Sequence, residues 1–231
     1  MPRTDIDIAV LLFDRITALD AIGPYEVLAR VPGATVRFVA VQPGPQRTDT
    51  GFLTLVADYG LDDGLAHDIV VVPGGPGTRD LLEDADLLGW IRAAHAGTRW
   101  TASVCTGALL LGAAGILEGL SATTHWASMD RLSEFGAEAT HGRVVENGRV
   151  LTAAGVSAGI DVGLRLAQLV AGDAVAKAIQ LVIEYDPQAP FDSGSPAAAT
   201  PETVALAREL LQSPFRTPPA SGQRSAPLST Q

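Results

Sequence analysis

Cys105 is the only cysteine in the 231-residue chain, and it stands in Trp100-Thr-Ala-Ser-Val-Cys-Thr-Gly-Ala-Leu-Leu-Leu-Gly112. An apolar strand-like run leads into it and a Gly/Ala/Leu run with helical character follows. Ser103 and Gly107 place small residues two positions before and two after. A sharp strand-to-helix turn needs small residues there, because the backbone doubles back on itself. Such a turn lifts the side chain out of the sheet and sets it at a helix N-terminus, where the dipole favours a thiolate. A lone cysteine is ordinarily a small buried hydrophobe; its place at the turn makes Cys105 a candidate nucleophile instead.

Two further features accompany it. Asp20 follows the first apolar run (Ile6–Phe13), and Gly74-Gly75 follows the β-branched run Asp68–Val72. Beside a thiolate, a buried Asp20 would have a raised pKa and could hold and pass a proton. The backbone N–H groups of Gly75 and Thr106 are candidate anion-hole donors, and the Thr106 hydroxyl could add a hydrogen bond. Taken singly, Asp20 reads as a helix N-cap and Gly74-Gly75 as an ordinary turn; their coincidence with the Cys105 turn favours a site. A Cys-His pair would need histidine beside the thiol, but the next residue is Thr106. His125, in Thr123-Thr-His-Trp126, is a candidate neighbour of the site and equally a packed or capping histidine. His67, His95 and His141 read as surface residues, and the four histidines show no metal-ligand spacing. Gly74-Gly-Pro-Gly77 lacks the Gly-Lys-Ser/Thr of a nucleotide-binding loop. No metal, nucleotide or other cofactor is expected.

The elements that would position these residues alternate. Apolar runs over 6–13, 35–41, 68–72 and 100–104 predict strands buried on both faces. Helical spacing predicts helices over 25–31, 78–96, 123–135, 157–170, 173–183 and 201–211, with Pro24 acceptable in the first turn of its helix. Residues 43–51 read as a polar loop and 53–59 as a short strand, part of a hairpin. Asn147-Gly148 predicts a hairpin within 143–152, and 185–196 an irregular loop. This alternation predicts an α/β fold, a mostly parallel sheet with helices on both faces. In such sheets ligands bind beyond the carboxyl ends of the strands, where Asp20, Gly75 and Cys105 would converge. One domain over 1–212 is expected, followed by a disordered Pro/Ser-rich tail over 213–231.

Composition narrows the function classes. The net charge of −10 disfavours a nucleic-acid partner. A single cysteine excludes an internal disulfide and fits a reducing cytoplasm. The acidic N-terminal residues do not read as an export signal. Trp100–Leu117 is 18 residues without a charge, but its glycines and strand-like opening predict a buried strand and helix rather than a membrane span.

Val71-Val-Pro-Gly-Gly75, Ser103-Val-Cys-Thr-Gly107, Gly112-Ala-Ala-Gly-Ile-Leu117 and Ala122-Thr-Thr-His-Trp-Ala127 together resemble the ThiJ/PfpI superfamily. Leu19-Asp-Ala-Ile-Gly-Pro24, Ala158-Gly-Ile-Asp161, Glu184-Tyr-Asp-Pro-Gln-Ala-Pro-Phe191 and Gly194-Ser-Pro196 make it similar, within that superfamily, to the isonitrile hydratases. The resemblance spans about residues 6–211. It implies a flavodoxin-like sandwich, a homodimer, and a cofactor-free hydration of an isonitrile to an N-substituted formamide. Cys105 would be the nucleophile, forming a thioimidate, with Asp20 as acid and base and Thr106 beside them. One departure is Ile22, where the hydratases are expected to carry threonine. Rival readings are a glyoxalase or deglycase of the same fold, and a small-molecule or redox-sensing module like the ligand domains of AraC-type regulators. No helix-turn-helix region is legible between the core and Gln231, which weighs against a transcription regulator.

Overall fold

The computed structural model of the chain describes residues 5–212, so the tail expected over 213–231 lies outside the described residues. In chain order the elements are β1 (Ile6–Leu11), α1 (Ala18–Leu28), β2 (Ala34–Ala40), β3 (Gly44–Arg47), β4 (Thr54–Ala57), β5 (Tyr59–Gly60), β6 (Ile69–Val72), α2 (Thr78–Leu81), α3 (Ala85–Gly97), β7 (Trp100–Val104), α4 (Gly107–Ala113), β8 (Ser121–Ala122), a 3-10 helix (Trp126–Phe135), β9 (Glu138–Ala139), β10 (Val144–Asn147), β11 (Val150–Ala153), α5 (Ala158–Ala171), α6 (Asp173–Val182) and α7 (Pro201–Gln212).

The main sheet has the order β10-β11-β7-β6-β1-β2-β5. Every pairing is parallel except β10 with β11. This is the expected α/β, flavodoxin-like sandwich. All residues of β6 and β11 are buried, as are the last four of β7. Strands covered on both faces are continuously apolar for that reason. One contiguous core runs from β1 through β6 and β7 into α4 and α5. The uncharged stretch from Trp100 is β7 followed by α4, and among the described residues no helix is long and apolar enough to cross a membrane.

Several local elements depart from the sequence reading for physical reasons. Helix α1 starts at Ala18 rather than near Tyr25, so Pro24 lies inside it. Proline there leaves the Asp20 carbonyl without an intrahelical donor. The helix survives because it packs closely on α5: a methyl group at Gly159 would come within 3.0 Å of Pro24 Cδ, and one at Gly163 within 3.1 Å of Val27 Cβ. The helix expected over 78–96 breaks before Ala85, where the Asp84 carboxylate accepts from the Leu87 N–H at 3.0 Å and starts α3. The helix expected over 123–135 begins only at Trp126 and is a 3-10 helix, because Thr123 and Thr124 are bonded elsewhere. Residues 44–47 form β3, paired antiparallel with β4 in a hairpin outside the main sheet; their polar composition conceals it. The expected hairpin β10–β11 is present, and Gly148 adopts φ 55° in its turn.

Candidate active site

β1, β6 and β7 are adjacent and parallel, so their carboxyl ends lie side by side. The chain leaves them at Asp14–Thr17, Pro73–Gly77 and Cys105–Thr106, and these three crossovers pack against one another without spare volume. A methyl group at Gly107 would lie 2.0 Å from the Val72 carbonyl oxygen, one at Gly77 2.1 Å from the Asp14 carbonyl oxygen, and one at Gly74 2.4 Å from the Thr106 nitrogen. Only glycine fits where backbones approach this closely.

Cys105 sits at the turn in the left-handed region, at φ 56°. This costs a non-glycine residue about 1 kcal/mol or more. The conformation is held from both sides. The Cys105 N–H donates to the Ala154 and Ala153 carbonyls at 2.8 and 3.1 Å, and the Thr124 hydroxyl donates to the Cys105 carbonyl at 2.7 Å. The side chain is buried. The backbone N–H groups of Thr106 and Val156 face its sulfur and favour the thiolate. Burial, and next the negative charge of Asp20, outweigh them, so the thiol is pushed well above its ordinary pKa. Burial and the Asp20 charge thus oppose the thiolate that a helix N-terminus favours.

Asp20 is completely buried. It is the third residue of α1, not its cap; that position is Thr17. Its Oδ2 accepts from the Gly74 N–H at 3.0 Å, while Oδ1 is buried with no partner of full hydrogen-bond geometry. Burial raises its pKa to about 7; the Gly74 bond and the Cys105 thiol oppose the rise, and the nearby charge of Asp49 adds to it. A buried carboxyl that gives up its proton near neutrality, interacting with a buried thiol, can take the thiol proton and return it.

The expected anion hole takes a different form. The Gly75 N–H does not point into free space: it donates to the Thr106 hydroxyl oxygen at 2.9 Å. The Thr106 hydroxyl lies 3.2 Å from the Gly75 carbonyl oxygen, to which it donates, and the Thr78 hydroxyl donates to the same carbonyl at 2.7 Å. Thr106 Oγ1 and Gly75 thus lock two crossovers together. The donors near the sulfur are the N–H groups of Thr106 and Val156. Val156 carries no signal in sequence, because a backbone donor can belong to any residue type other than proline.

His125 follows Thr124, whose hydroxyl bonds the Cys105 carbonyl. It caps the 3-10 helix, its Nδ1 accepting from the Ala127 N–H at 3.3 Å. Its ring packs on Gly155, the neighbour of Val156, so closely that a methyl group there would lie 2.8 Å from Cδ2. Burial lowers its pKa, which favours the neutral ring. His125 is thus a half-buried wall and cap. Ile22 is half-buried two positions after Asp20. Residues two apart on a helix lie roughly 200° apart around the axis, so Ile22 does not face the Asp20 carboxyl. His141 is exposed as expected, but His67 and His95 are half-buried; His95 Nδ1 meets Thr101 Oγ1 at 2.8 Å.

The DJ-1/PfpI family model matches residues 7–169, from β1 into α5. The chain belongs to the DJ-1/PfpI family. It is 44% identical over 204 residues to the isonitrile hydratase of Pseudomonas putida, covering 88% of this chain and 89% of that one. An alignment of that length continues past residue 169 and through α6. The crystal structure of a ThiJ/PfpI family protein from Pseudomonas syringae superposes with a TM-score of 0.86 at 35% identity, covering 90% of this chain and 86% of that one. Drosophila melanogaster DJ-1beta shares the fold, with a TM-score of 0.72 at 20% identity, over 78% of this chain and 98% of that one.

Proposed function

We propose that this chain is an isonitrile hydratase in which Cys105 and Asp20 act as a proton-sharing pair. The observation that carries the reading is that pair: a buried Cys105 held at its turn and a fully buried Asp20 carboxyl fixed by the Gly74 N–H, with burial pushing both pKa values up. The similarity to the Pseudomonas putida enzyme supplies the substrate class.

In the first step Asp20 takes the Cys105 S–H proton, and the sulfur electron pair forms a C–S bond to the terminal carbon of the isonitrile. Asp20 then gives the proton to that carbon, leaving a thioimidate, R–N=CH–S. Water adds to the thioimidate carbon while Asp20 accepts one water proton and passes it to the nitrogen, leaving Cys105 Sγ–CH(OH)–NH–R, and Asp20 then takes the hydroxyl proton. The C–S bond breaks as the carbon–oxygen double bond forms, releasing an N-substituted formamide, and the sulfur recovers a proton from Asp20. The balance is one water added per isonitrile, and no cofactor enters any step. The N–H groups of Thr106 and Val156 stabilise the sulfur whenever it carries charge. Thr106 also keeps the Gly75 crossover in register with the cysteine.

The direct test is formation of N-substituted formamide from a panel of alkyl isonitriles, with methylglyoxal run in parallel. Formamide production that is absent in Cys105→Ala supports the reading; turnover of methylglyoxal alone would replace it with a glyoxalase or deglycase. A homodimer and a cytoplasmic location belong to the same proposal and are checked by sedimentation and cell fractionation.

A further inference from the structure

The turn between β3 and β4 reaches the site from outside the main sheet, and the catalytic scheme gives it no part. Asp49, in that turn, is fixed by three bonds. Its N–H donates to the Ile16 carbonyl at 2.9 Å, its Oδ2 accepts from the Thr17 hydroxyl at 2.7 Å, and its Oδ1 accepts from the Thr50 N–H at 2.8 Å. Thr17 is the residue from which α1 starts. Its carbonyl accepts from the Asp20 N–H at 3.0 Å, and its own N–H donates to the Gly74 carbonyl at 3.0 Å. Gly74 in turn donates to Asp20 Oδ2. Asp49, Thr17, Gly74 and Asp20 therefore form a connected chain of hydrogen bonds ending at the carboxyl.

We propose that Asp49 is a positioning residue for Asp20: through Thr17 it holds the turn that presents the carboxyl to Gly74 and Cys105, and it sets a second negative charge near that pair. The proposal rests on the assignment of Asp20 as the proton carrier. It also accounts for a polar turn being pinned beside a buried acid. Like charges resist ionising together, so the Asp49 carboxylate favours the protonated form of Asp20. The titratable groups acting on Asp20 are Cys105 and Asp49. The cations on the adjoining segments are engaged elsewhere, Arg15 with Asp80 and Arg47 with the Gly51 carbonyl.

Asp49→Asn removes the charge and keeps a side chain able to bond to Thr17. Thr17→Val removes the hydroxyl and keeps the charge. The readout is the 13C carboxyl resonance of Asp20, assigned by its loss in Asp20→Asn and titrated in the full-length protein without substrate. Asp49→Asn should lower the Asp20 midpoint by roughly 0.5 pH unit, and the acid limb of kcat/KM for an alkyl isonitrile should move by the same amount. Thr17→Val should lower kcat with a smaller displacement of the midpoint. An unmoved Asp20 midpoint in folded Asp49→Asn overturns the inference, even where formamide is still produced. A shifted midpoint in a protein that produces no formamide supports the inference and overturns the hydratase reading instead.

Discussion

The crossovers at the ends of β1, β6 and β7 and the segment from Glu184 to Gln212 are built by opposite rules. At the crossovers three backbones meet at distances only glycine permits, Cys105 is held in a left-handed conformation, and Asp20 is sealed from solvent. In the C-terminal segment an irregular stretch leads to α7, which buries no residue and exposes Leu206, Leu210 and Leu211. The family model ends at residue 169, whereas the similarity to the isonitrile hydratase continues beyond it. The buried Cys105–Asp20 pair therefore lies in the part of the fold that the family model covers. The C-terminal segment lies outside the family model, and the alignment to the isonitrile hydratase extends into it.

Substitutions should separate the two regions. The largest effect is expected at the cysteine: Cys105→Ala should remove formamide production in a steady-state assay while leaving the circular dichroism spectrum unchanged. Next, Gly107→Ala should destabilise the fold by several kcal/mol, because the added methyl meets the Val72 carbonyl at 2.0 Å and backbone cannot yield cheaply; chemical denaturation measures this. Asp20→Asn should slow turnover by about 10²- to 10⁴-fold and at the same time stabilise the protein. The sign follows from linkage. Asp20 has a folded pKa of about 7 against an ordinary 3.8, so the folded state binds the extra proton between those values, and stability falls as pH rises through that window. The neutral Asn side chain should abolish that loss, on the order of a few kcal/mol at most, in unfolding curves recorded on either side of the window. The smallest effect belongs to the other region. Leu210→Ser, at a side chain 62% exposed in α7, should change monomer stability by no more than about 0.5 kcal/mol; a large loss of stability or activity would show that α7 is coupled to the site.

Much of this was legible in the residues themselves. The apolar runs of β1, β6 and β7 gave the parallel sheet, because strands buried on both faces have no polar face to present. Small residues around Cys105 marked its turn, and the order of the strands brings Asp20 to it. What escaped the sequence depended on partners remote along the chain. The Gly75 N–H was available in principle, but the structure gives it to Thr106. The donors to the sulfur include Val156, a backbone group with no side-chain signature. Asp49 lies in a turn that reads as an ordinary polar loop until the Thr17 hydroxyl is seen to meet it. The electrostatics of Cys105 are likewise not a local property: the turn favours a thiolate, whereas burial and Asp20 push the thiol pKa up.

The central claim is that Cys105 reacts by giving its proton to Asp20. The most direct measurement is the pH dependence of kcat/KM for hydration of an alkyl isonitrile to its formamide. The rate should fall below a midpoint near 7, where Asp20 becomes protonated and can no longer accept the thiol proton, and this limb should vanish in Asp20→Asn. A profile flat across that midpoint, or one whose limb persists unchanged in Asp20→Asn, would contradict the account.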